Sequence, residues 1–313
     1  MSADEMSALL TPAAAADALA DALRAGHDPE TDPPRTALPV PGGELLLMPV
    51  ASGAYAGVKI AGVAPANPER GLPRITGSYL LLDGPTLRPL ALLDGAALTA
   101  LRTPAVSALA LRYLAPGGPP LRLVLFGSGP QAYGHLEAVL AVRELSRAIV
   151  VARDPVGAEK LAAHARTLGV SARTGTPADV AGADLVICCT TARTPLFDGR
   201  LVPAGAVVVA VGSHEPEARE TDTALVRRAA VYVESRAAAL REAGDLLVPE
   251  SEGAIGPGHI TGTLADLVAG RMPTAGRPSC PQLFKSVGMA WEDLAVAVAM
   301  YRATGATGRS SVT

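Results

Sequence analysis

The sequence predicts an α/β protein with a parallel-sheet domain after residue 120 and a part of mixed helices and strands before it. Two observations support this. After residue 120, five short apolar runs rich in β-branched residues follow one another, and helical segments at 131–145, 155–168 and 177–182 separate the first three runs. Before residue 116 the chain reads as helices and hairpin strands, and residues 282–305 return to a helical pattern. The residues alone therefore place a boundary at the linker 116–120 and leave open where the helical segment 282–305 packs.

The N-terminal elements follow from local signals. A helix is expected from Thr11, a suitable N-cap, with Pro12 at the first helical position. The runs ELLLMPVA and AYAGVKIAGVA are strand-like, and ITGSYLLLD and LRPLALLDG flank the turn signal GPT as antiparallel strands. Residues 94–115 form a long helix pattern that Asp94 caps and in which Pro104 is expected to cause a kink. The stretch PGGPP at 116–120 is the clearest linker.

Composition excludes several classes of protein. The formal charge is −3 with arginines spread along the chain, which gives no basic face for nucleic acid. No uninterrupted apolar run reaches the roughly 18–20 residues that span a bilayer, and the N-terminus lacks the basic region of a secretory signal. The three cysteines, with Cys188 and Cys189 adjacent, match neither a disulfide framework nor a zinc site. We expect a cytoplasmic protein without metal, membrane or nucleic-acid partners.

A glycine-rich turn in LRLVLFGSGPQAYGHLEAVL marks the start of the parallel-sheet domain. Gly127, Gly129 and Ala132 form the pattern G-x-G-x-x-A between an apolar strand and a helix. The first glycine permits the tight turn, the second lets the backbone approach a pyrophosphate, and the small third residue allows close packing of helix on strand. The pattern predicts a Rossmann-type dinucleotide site. The residues expected to contact the cofactor from this turn are Gly127, Ser128, Gly129, Pro130 and Gln131.

The end of the next strand indicates which dinucleotide is bound. An NAD site usually carries a carboxylate there, whereas this chain reads Ala152 and then Arg153. A guanidinium suits a 2′-phosphate, so NADP(H) is the preferred cofactor and NAD(H) remains an alternative. Asp154 is either a ribose ligand or the cap of the following helix. We expect further cofactor contacts from Thr190, Ser213 and Lys285.

Four cations in the N-terminal part lie in apolar, small-residue surroundings: Arg35, Lys59, Arg74 and Arg102. Lys59 lies within a strand-like run, and Arg102 lies within a helix among Ala and Leu. Burial of either charge without an anion costs several kcal/mol. A bound carboxylate would offset that cost, so the pattern favours a substrate that carries a carboxylate, although any one of these cations alone is also compatible with a solvated surface charge.

Several segments together resemble the ornithine cyclodeaminase/mu-crystallin family, in register from about Arg35 to Glu292. They are LLMP, GVKI, ALLDGAALTALRTPAVSALA, LFGSGPQAYGHLEAV, EAGDL and LFKSVGMAWEDLA. The resemblance implies a Rossmann-type parallel-sheet domain at residues 116–287, inserted into an α+β dimerisation and substrate domain formed by residues 1–115 and 288–313. It further implies a homodimer and hydride transfer at the α-carbon of an amino acid or its imine. It also implies roles for individual residues: carboxylate binding by Arg35, Lys59 and Arg102, and nucleotide binding by Gly127, Gly129 and Gln131.

The chain departs from the cyclodeaminase pattern at positions where those enzymes carry acids. Leu46 replaces a glutamate, Ser213 and His214 stand where an aspartate is expected, and Lys285 replaces an acidic residue of the ornithine-specific enzymes. Cyclodeamination needs a carboxylate to move protons and hold the ω-amine, whereas reduction of a cyclic imine needs only a carboxylate clamp, a protonated nitrogen and a hydride. The departures favour an imine reductase, with Lys59 and His214 as catalytic candidates.

Three alternatives remain open at this point. They are an ornithine or lysine cyclodeaminase, an amino-acid dehydrogenase, and a non-catalytic protein that holds NADP and a small ligand. Arg74 is also a candidate for binding a second acidic group on a larger or linear substrate.

Overall fold

The computed structural model describes residues 1–256, 258–272 and 279–305. The chain forms two compact units: Met1–Ala105 together with the chain from Met289 onward, and Val106–Gly288. The boundary after Ala105 falls inside a helix, upstream of the linker at which the sequence places it. The assignment of a substrate domain and a nucleotide domain stays a prediction. No helix in the described ranges combines the length and the apolarity needed to cross a bilayer.

The first unit contains a five-stranded antiparallel sheet whose strands lie in chain order. The predicted hairpin strands are confirmed as neighbours in this sheet. The N-cap at Thr11 is confirmed, since its Oγ1 accepts from the Ala14 amide at 3.3 Å. The elements are α1 (Ala3–Leu9), α2 (Pro12–Arg24), β1 (Thr36–Val40), β2 (Gly43–Ser52), β3 (Tyr55–Val63), β4 (Ile75–Asp83), β5 (Pro89–Asp94), the beginning of α3 (Gly95–Leu114) and α10 (Ala290–Ala303).

The two faces of this sheet differ in what covers them. Along β3 the side chains alternate, so that Lys59 is buried while its neighbour Ile60 is 44% exposed. Helix α10 packs against α2, β2 and β3. Helix α3 is capped as predicted, with Asp94 Oδ1 accepting from the Ala96 and Ala97 amides at 2.9 Å each, and it continues through Pro104. The covered face therefore holds a lysine in an environment without bulk water.

The second unit contains an eight-stranded parallel sheet in the order β12-β11-β13-β10-β9-β6-β7-β8, which confirms the Rossmann-type fold. All five predicted strands lie in it. The elements are β6 (Leu121–Phe126), α4 (Pro130–Leu140), β7 (Leu145–Val151), α5 (Pro155–Thr167), β8 (Ala172–Thr174), β9 (Leu185–Cys188), β10 (Val207–Ala210), α6 (Thr223–Arg228), β11 (Ala230–Val233), α7 (Arg236–Glu242), α8 (Gly244–Ser251), β12 (Ile260–Thr263), α9 (Leu264–Val268) and β13 (Gln282–Lys285).

Several boundaries predicted from the sequence are wrong. Gln282–Lys285 is a strand between β10 and β11 rather than the start of the C-terminal helix. Gly288, with a φ of +75°, lies between that strand and α10. Helix α4 ends at Leu140 instead of 145, whereas the helical segment predicted at 177–182 has the bounds Pro177–Gly182 and is a 3-10 helix. Strands β1, β8 and β12 were missed because β1 is exposed throughout and the other two span only three and four residues at the sheet edges.

Candidate active site

The glycine turn lies at the carboxyl end of β6, where the order of the parallel strands reverses. This switch point, between β6 and β9, is where ligands bind in open α/β sheets. Gly127 has a φ of +112°, and a Cβ there would lie 2.6 Å from the carbonyl oxygen of Cys189 at the end of β9. Only glycine fits this close approach.

The next part of the turn fits the phosphates of a dinucleotide. Gly129 is the N-cap of α4 and offers no side-chain cap, and no acidic residue occupies the first turn. A Cβ on Gly129 would meet no atom within 4 Å, so open space lies where a pyrophosphate would approach the backbone. Ala132 is fully buried against the sheet, as its small size predicts. Pro130 begins the helix, and Ser128 Oγ lies close to Gly157 at the start of α5.

Asp154 makes the helix cap that is one of its two predicted roles. Its Oδ1 accepts from the Val156 amide at 3.0 Å, so this carboxylate caps α5. Arg153 is exposed, and its side chain makes no hydrogen bond or ion pair with the part of the chain that the structure describes. Ala152, before it, is half-buried. The arginine is thus placed to accept an anion after β7.

A buried carboxylate that the sequence analysis missed holds the ends of β9 and β10 together. Glu220 Oε1 accepts from the Thr190 amide at 2.8 Å and from its hydroxyl at 2.7 Å, and Oε2 accepts from the Gly212 amide at 2.7 Å. Glu220 is fully buried, and burial raises its pKa. The segment EPEARETD reads as a polar surface loop, so no local signal distinguishes Glu220 from its neighbours.

Asp245 and Lys285 complete this network, which we call the Lys285 cluster (Glu220, Asp245 and Lys285). Asp245 Oδ1 accepts from the amides of Glu220 and Thr221 at 2.9 and 2.8 Å. Lys285 Nζ lies 3.1 Å from Asp245 Oδ2 and donates to the Ser213 carbonyl at 2.6 Å. The lysine is buried with two protein partners. Direct contact between Lys285 and a cofactor stays a prediction. In the structure, the Lys285 ammonium fixes the backbone at Ser213 by donating to its carbonyl.

His214 follows Ser213 in the loop after β10 and is half-buried. Ser213 Oγ donates to the Ala218 carbonyl at 2.5 Å, which closes this loop on itself. The Lys285 cluster therefore anchors the loop on both sides of His214, at Ser213 and at Glu220. Its catalytic role stays a prediction.

A second group of buried charges lies in the first unit and includes two of the predicted carboxylate binders. Lys59 Nζ donates to Asp293 Oδ1 at 3.0 Å and to Thr99 Oγ1 at 3.3 Å, and lies 2.7 Å from Asp293 Oδ2. Arg102 donates from Nη1 to Glu292 Oε2 at 2.7 Å and from Nε to Asp293 Oδ1 at 3.2 Å. Both carboxylates are in the first turn of α10 and fully buried.

The electrostatics bring Arg35 into this group. Burial lowers the pKa of Lys59 to about 8. The charge of Asp293 opposes that shift, while the positive charges of Arg102 and Arg35 reinforce it. We call Arg35, Lys59, Arg102, Glu292 and Asp293 the Lys59 cluster. The pKa of Lys59 is thus lower than that of an ordinary lysine even though Asp293 is its partner. A further anion bound beside Lys59 would stabilise the ammonium, and the ammonium would in turn stabilise the anion.

The cost of burying these cations is met by the chain itself, so their burial is not by itself evidence for a bound carboxylate, and substrate binding by them stays a prediction. Glu292 and Asp293 supply two anions from the chain itself, and burial of Lys59 and Arg102 does not require a bound carboxylate. The signal was present in AWEDLAVAVAM, where two adjacent acids open an otherwise apolar helix. An acidic pair of this kind in a buried first turn is expected to have cationic partners.

Arg74 is not brought to the Lys59 cluster. It is exposed and precedes β4. Lys59 pairs with Tyr79 of β4, which lies five residues after Arg74. At the rise of an extended chain, Arg74 is therefore about 16 Å from the position opposite Lys59. Leu46 is buried on β2, two residues before Met48, which pairs with Lys59 on the other side. The position at which the cyclodeaminases carry a glutamate is therefore occupied by a buried leucine, on the same face of the sheet as Lys59.

The fold and these residues define a Rossmann-type α/β protein with an additional antiparallel-sheet unit. The model of the ornithine cyclodeaminase/mu-crystallin family matches residues 2–307, and the chain belongs to this family, as its resemblance predicts. It is 40% identical over 232 residues to the Delta(1)-pyrroline-2-carboxylate reductase of Colwellia psychrerythraea, with 72% of both chains covered. It is 34% identical over 311 residues to the ketimine reductase mu-crystallin of Rattus norvegicus, with 96% of both covered.

Among solved structures, the chain is similar to Thermococcus litoralis Delta(1)-pyrroline-2-carboxylate reductase in complex with NADH and L-proline. The TM-score is 0.91 at 33% identity, and the match covers 97% of this chain and 96% of that chain.

Proposed function

We propose that this chain is an NAD(P)H-dependent reductase of a small cyclic imine carboxylate, such as 1-pyrroline-2-carboxylate or 1-piperideine-2-carboxylate, and that it forms the cyclic amino acid. The observation that carries the proposal is the state of Lys59. It is a buried ammonium whose pKa lies at about 8 and which two arginines accompany. Such a group both attracts a carboxylate and is able to release a proton near neutral pH. The relatives' activities support the same reaction.

In this proposal, Arg35, Lys59 and Arg102 bind the substrate carboxylate. Lys59 is the first candidate for the residue that delivers a proton to the imine nitrogen, and His214 is the second. The glycine turn would hold the pyrophosphate of a reduced dinucleotide, whose nicotinamide would supply the hydride to the imine carbon. The balance is one imine, one NAD(P)H and one proton converted to one amine and one NAD(P)⁺. The apolar Leu46 offers no carboxylate for a cationic ω-amine, which favours this reaction over cyclodeamination.

A screen of cofactor oxidation tests the proposal. The purified protein is supplied with NADPH or NADH and with the two cyclic imines, with 2-keto acids with and without amines, or with ornithine. We expect NAD(P)H consumption with the cyclic imines, and a loss of at least about 100-fold in kcat/KM in Lys59→Met. Ammonia release from ornithine without net cofactor consumption would instead identify a cyclodeaminase. Turnover only with a linear keto acid and ammonia would identify a dehydrogenase, and binding without turnover a carrier protein.

The choice between Lys59 and His214 is made by comparing Lys59→Met with His214→Asn in the same assay. If Lys59 is the donor, the histidine variant keeps substantially more activity than the lysine variant. The reverse order would assign the proton transfer to His214.

We also propose that NADP(H) is preferred over NAD(H), because Arg153 is exposed after β7 and Asp154 is used as a helix cap. Arg153→Ala is expected to raise the KM for NADPH by about 10-fold or more and to leave the KM for NADH nearly unchanged, as a charge-assisted contact to a 2′-phosphate requires. Arg147→Ala, an exposed arginine near the other end of the same strand, is the control. Equal effects on both cofactors would refute the preference.

The uncovered face of the antiparallel sheet supports a homodimer. Leu38, Ile60 and Leu92 lie on this face by register and are 53%, 44% and 60% exposed. The half-buried Leu45, Leu47 and Leu80 pair with them across the strands, and a continuous group of apolar side chains on a surface typically marks a protein interface. We expect a dimer by light scattering and dissociation in Ile60→Glu but not in Leu201→Glu, an exposed leucine of the second unit. A monomeric wild type would contradict this assignment.

We place the protein in the cytoplasm, where Cys188, Cys189 and Cys280 would remain free thiols, as they are in the structure. Cell fractionation tests this, and recovery in a secreted fraction would contradict it.

A further inference from the structure

Asp293 is the shared partner of two of the three cations in the Lys59 cluster, Lys59 and Arg102. Its Oδ1 accepts from Lys59 Nζ at 3.0 Å and from Arg102 Nε at 3.2 Å, and its Oδ2 lies 2.7 Å from the same Nζ. The ammonium is on β3, the guanidinium is on α3 and the carboxylate is on α10. One fully buried side chain thus fixes cations from two other elements relative to each other. Glu292, the adjacent acid, contacts Arg102.

We infer that Asp293 is a positioning residue of the proposed reduction, which holds the Lys59 ammonium charged and aligned with Arg102 for the incoming carboxylate. The catalytic part of this inference rests on the proposed function. The effect of Asp293 on the charge and position of Lys59 does not depend on it. It distinguishes Asp293, which acts on the proton donor, from Glu292, which acts on an arginine.

The composition of the chain supports a special role for this lysine. Of the 27 basic residues only three are lysines, at positions 59, 160 and 285. Lys59 and Lys285 are both buried and both paired with an aspartate. A chain that uses arginine for almost every positive charge keeps a primary amine at Lys59. An amine differs from a guanidinium in that it gives up its proton readily when buried.

The charged and titratable groups around Lys59 work in opposite directions. Burial and the positive charges of Arg102 and Arg35 favour the neutral amine, whereas Asp293 is the acid that favours the ammonium. Burial and the charge of Asp293 raise the pKa of Tyr79, the cross-strand partner of Lys59, so its hydroxyl stays neutral. Without the charge of Asp293, the remaining influences would all favour deprotonation of Lys59. Lys59 in Asp293→Asn is therefore expected to titrate at a lower pH than in the wild type.

The experiment uses the full chain labelled with lysine carrying ¹³C at Cε. Only three lysine signals are expected, and Lys160→Arg and Lys59→Arg assign them. The titration midpoint of Lys59 is measured in the wild type, in Asp293→Asn and in Glu292→Gln, which removes the neighbouring buried charge. We expect a fall of about one pH unit or more in Asp293→Asn and a smaller change in Glu292→Gln. An unchanged midpoint in Asp293→Asn overturns the inference.

Activity provides the second measurement. The alkaline limb of the pH profile for imine reduction is expected to move down with the NMR midpoint in Asp293→Asn, whereas a merely structural loss would lower the rate without moving the limb. If the wild type reduces no imine but the midpoint moves as expected, the proposed function fails while the pairing of Asp293 with Lys59 stands.

Asp293→Glu keeps the inference falsifiable if the asparagine variant does not fold. It retains the negative charge and displaces it by one methylene. We expect Lys59 to titrate near its wild-type midpoint while kcat falls by about 10-fold or more, because the ammonium and Arg102 are no longer aligned. Full activity in Asp293→Glu would show that alignment by this residue is unnecessary and would overturn the inference.

Discussion

The molecule contains two buried lysine–aspartate pairs, one in each unit, and their surroundings differ. Lys59 lies 2.7 Å from Asp293 and Lys285 lies 3.1 Å from Asp245, and all four side chains are nearly inaccessible. In the Lys59 cluster three cations accompany two carboxylates. In the Lys285 cluster a single lysine accompanies two carboxylates. Both oxygens of Glu220 accept from groups just after β9 and β10, and Asp245 Oδ1 accepts from the Glu220 and Thr221 amides and the Thr221 hydroxyl.

This difference separates a scaffold that the fold itself satisfies from a cluster that we predict to bind an anion. A buried carboxylate surrounded by N–H donors is satisfied by the fold, so the Lys285 cluster needs no ligand to be stable. Burial is the main reason that the pKa of Lys59 lies at about 8 although an aspartate touches it, and the positive charges of Arg102 and of the half-buried Arg35 lower that pKa further. A bound anionic substrate would stabilise the charged form of Lys59. In the Lys285 cluster an anion would have no comparable effect, because two carboxylates already accompany its single lysine.

The largest effect on stability is expected from the Lys285 cluster. Asp245→Asn leaves the buried Lys285 ammonium without its counter-ion and should lower the free energy of unfolding by about 3–5 kcal/mol, measured by urea denaturation. Asp198→Asn, which removes an exposed ion pair with Arg200, is the control and should cost less than about 1 kcal/mol. A small effect of Asp245→Asn would break the comparison, because the Lys285 cluster would then not be a scaffold.

The next effect concerns the pH dependence of activity. Above pH 8 the buried Lys59 loses its proton, so kcat/KM for a cyclic imine should fall about 10-fold per pH unit on the alkaline side. Lys59→Arg cannot deprotonate in this range, and its residual activity should show no limb near pH 8. A limb that persists in Lys59→Arg would belong to the substrate nitrogen or another group, and would remove Lys59 as the proton donor.

The smallest effect is expected at Tyr79, which is fully buried beside the Lys59 cluster. Its hydroxyl has no hydrogen-bond partner among the residues that the structure describes. Tyr79→Phe should therefore raise the free energy of unfolding by about 1 kcal/mol. Tyr133→Phe, at a half-buried tyrosine of the second unit, should change it by less than about 0.5 kcal/mol. Loss of activity in Tyr79→Phe would instead add this hydroxyl to the functional residues of the Lys59 cluster.

The sequence by itself determined the features that depend on local rules. The five apolar runs and the glycine turn predicted the parallel sheet and the site of close backbone approach at Gly127, because strand period and φ restrictions act over a few residues. Family segments predicted the overall reaction class. Edge strands such as β8 and β12 were missed because three or four residues do not establish a period.

Only the tertiary structure decided which charges meet. Lys59 and Asp293 are separated by 234 positions and Arg102 and Glu292 by 190, and no local pattern connects them. The same holds for Glu220, whose side chain reaches the ends of two strands from a polar loop. Arg74 and Lys59 look equivalent in the sequence, yet strand register leaves the first in solvent and buries the second. The ionisation of a side chain depends on burial and on neighbouring charges, and both are set by packing between distant segments.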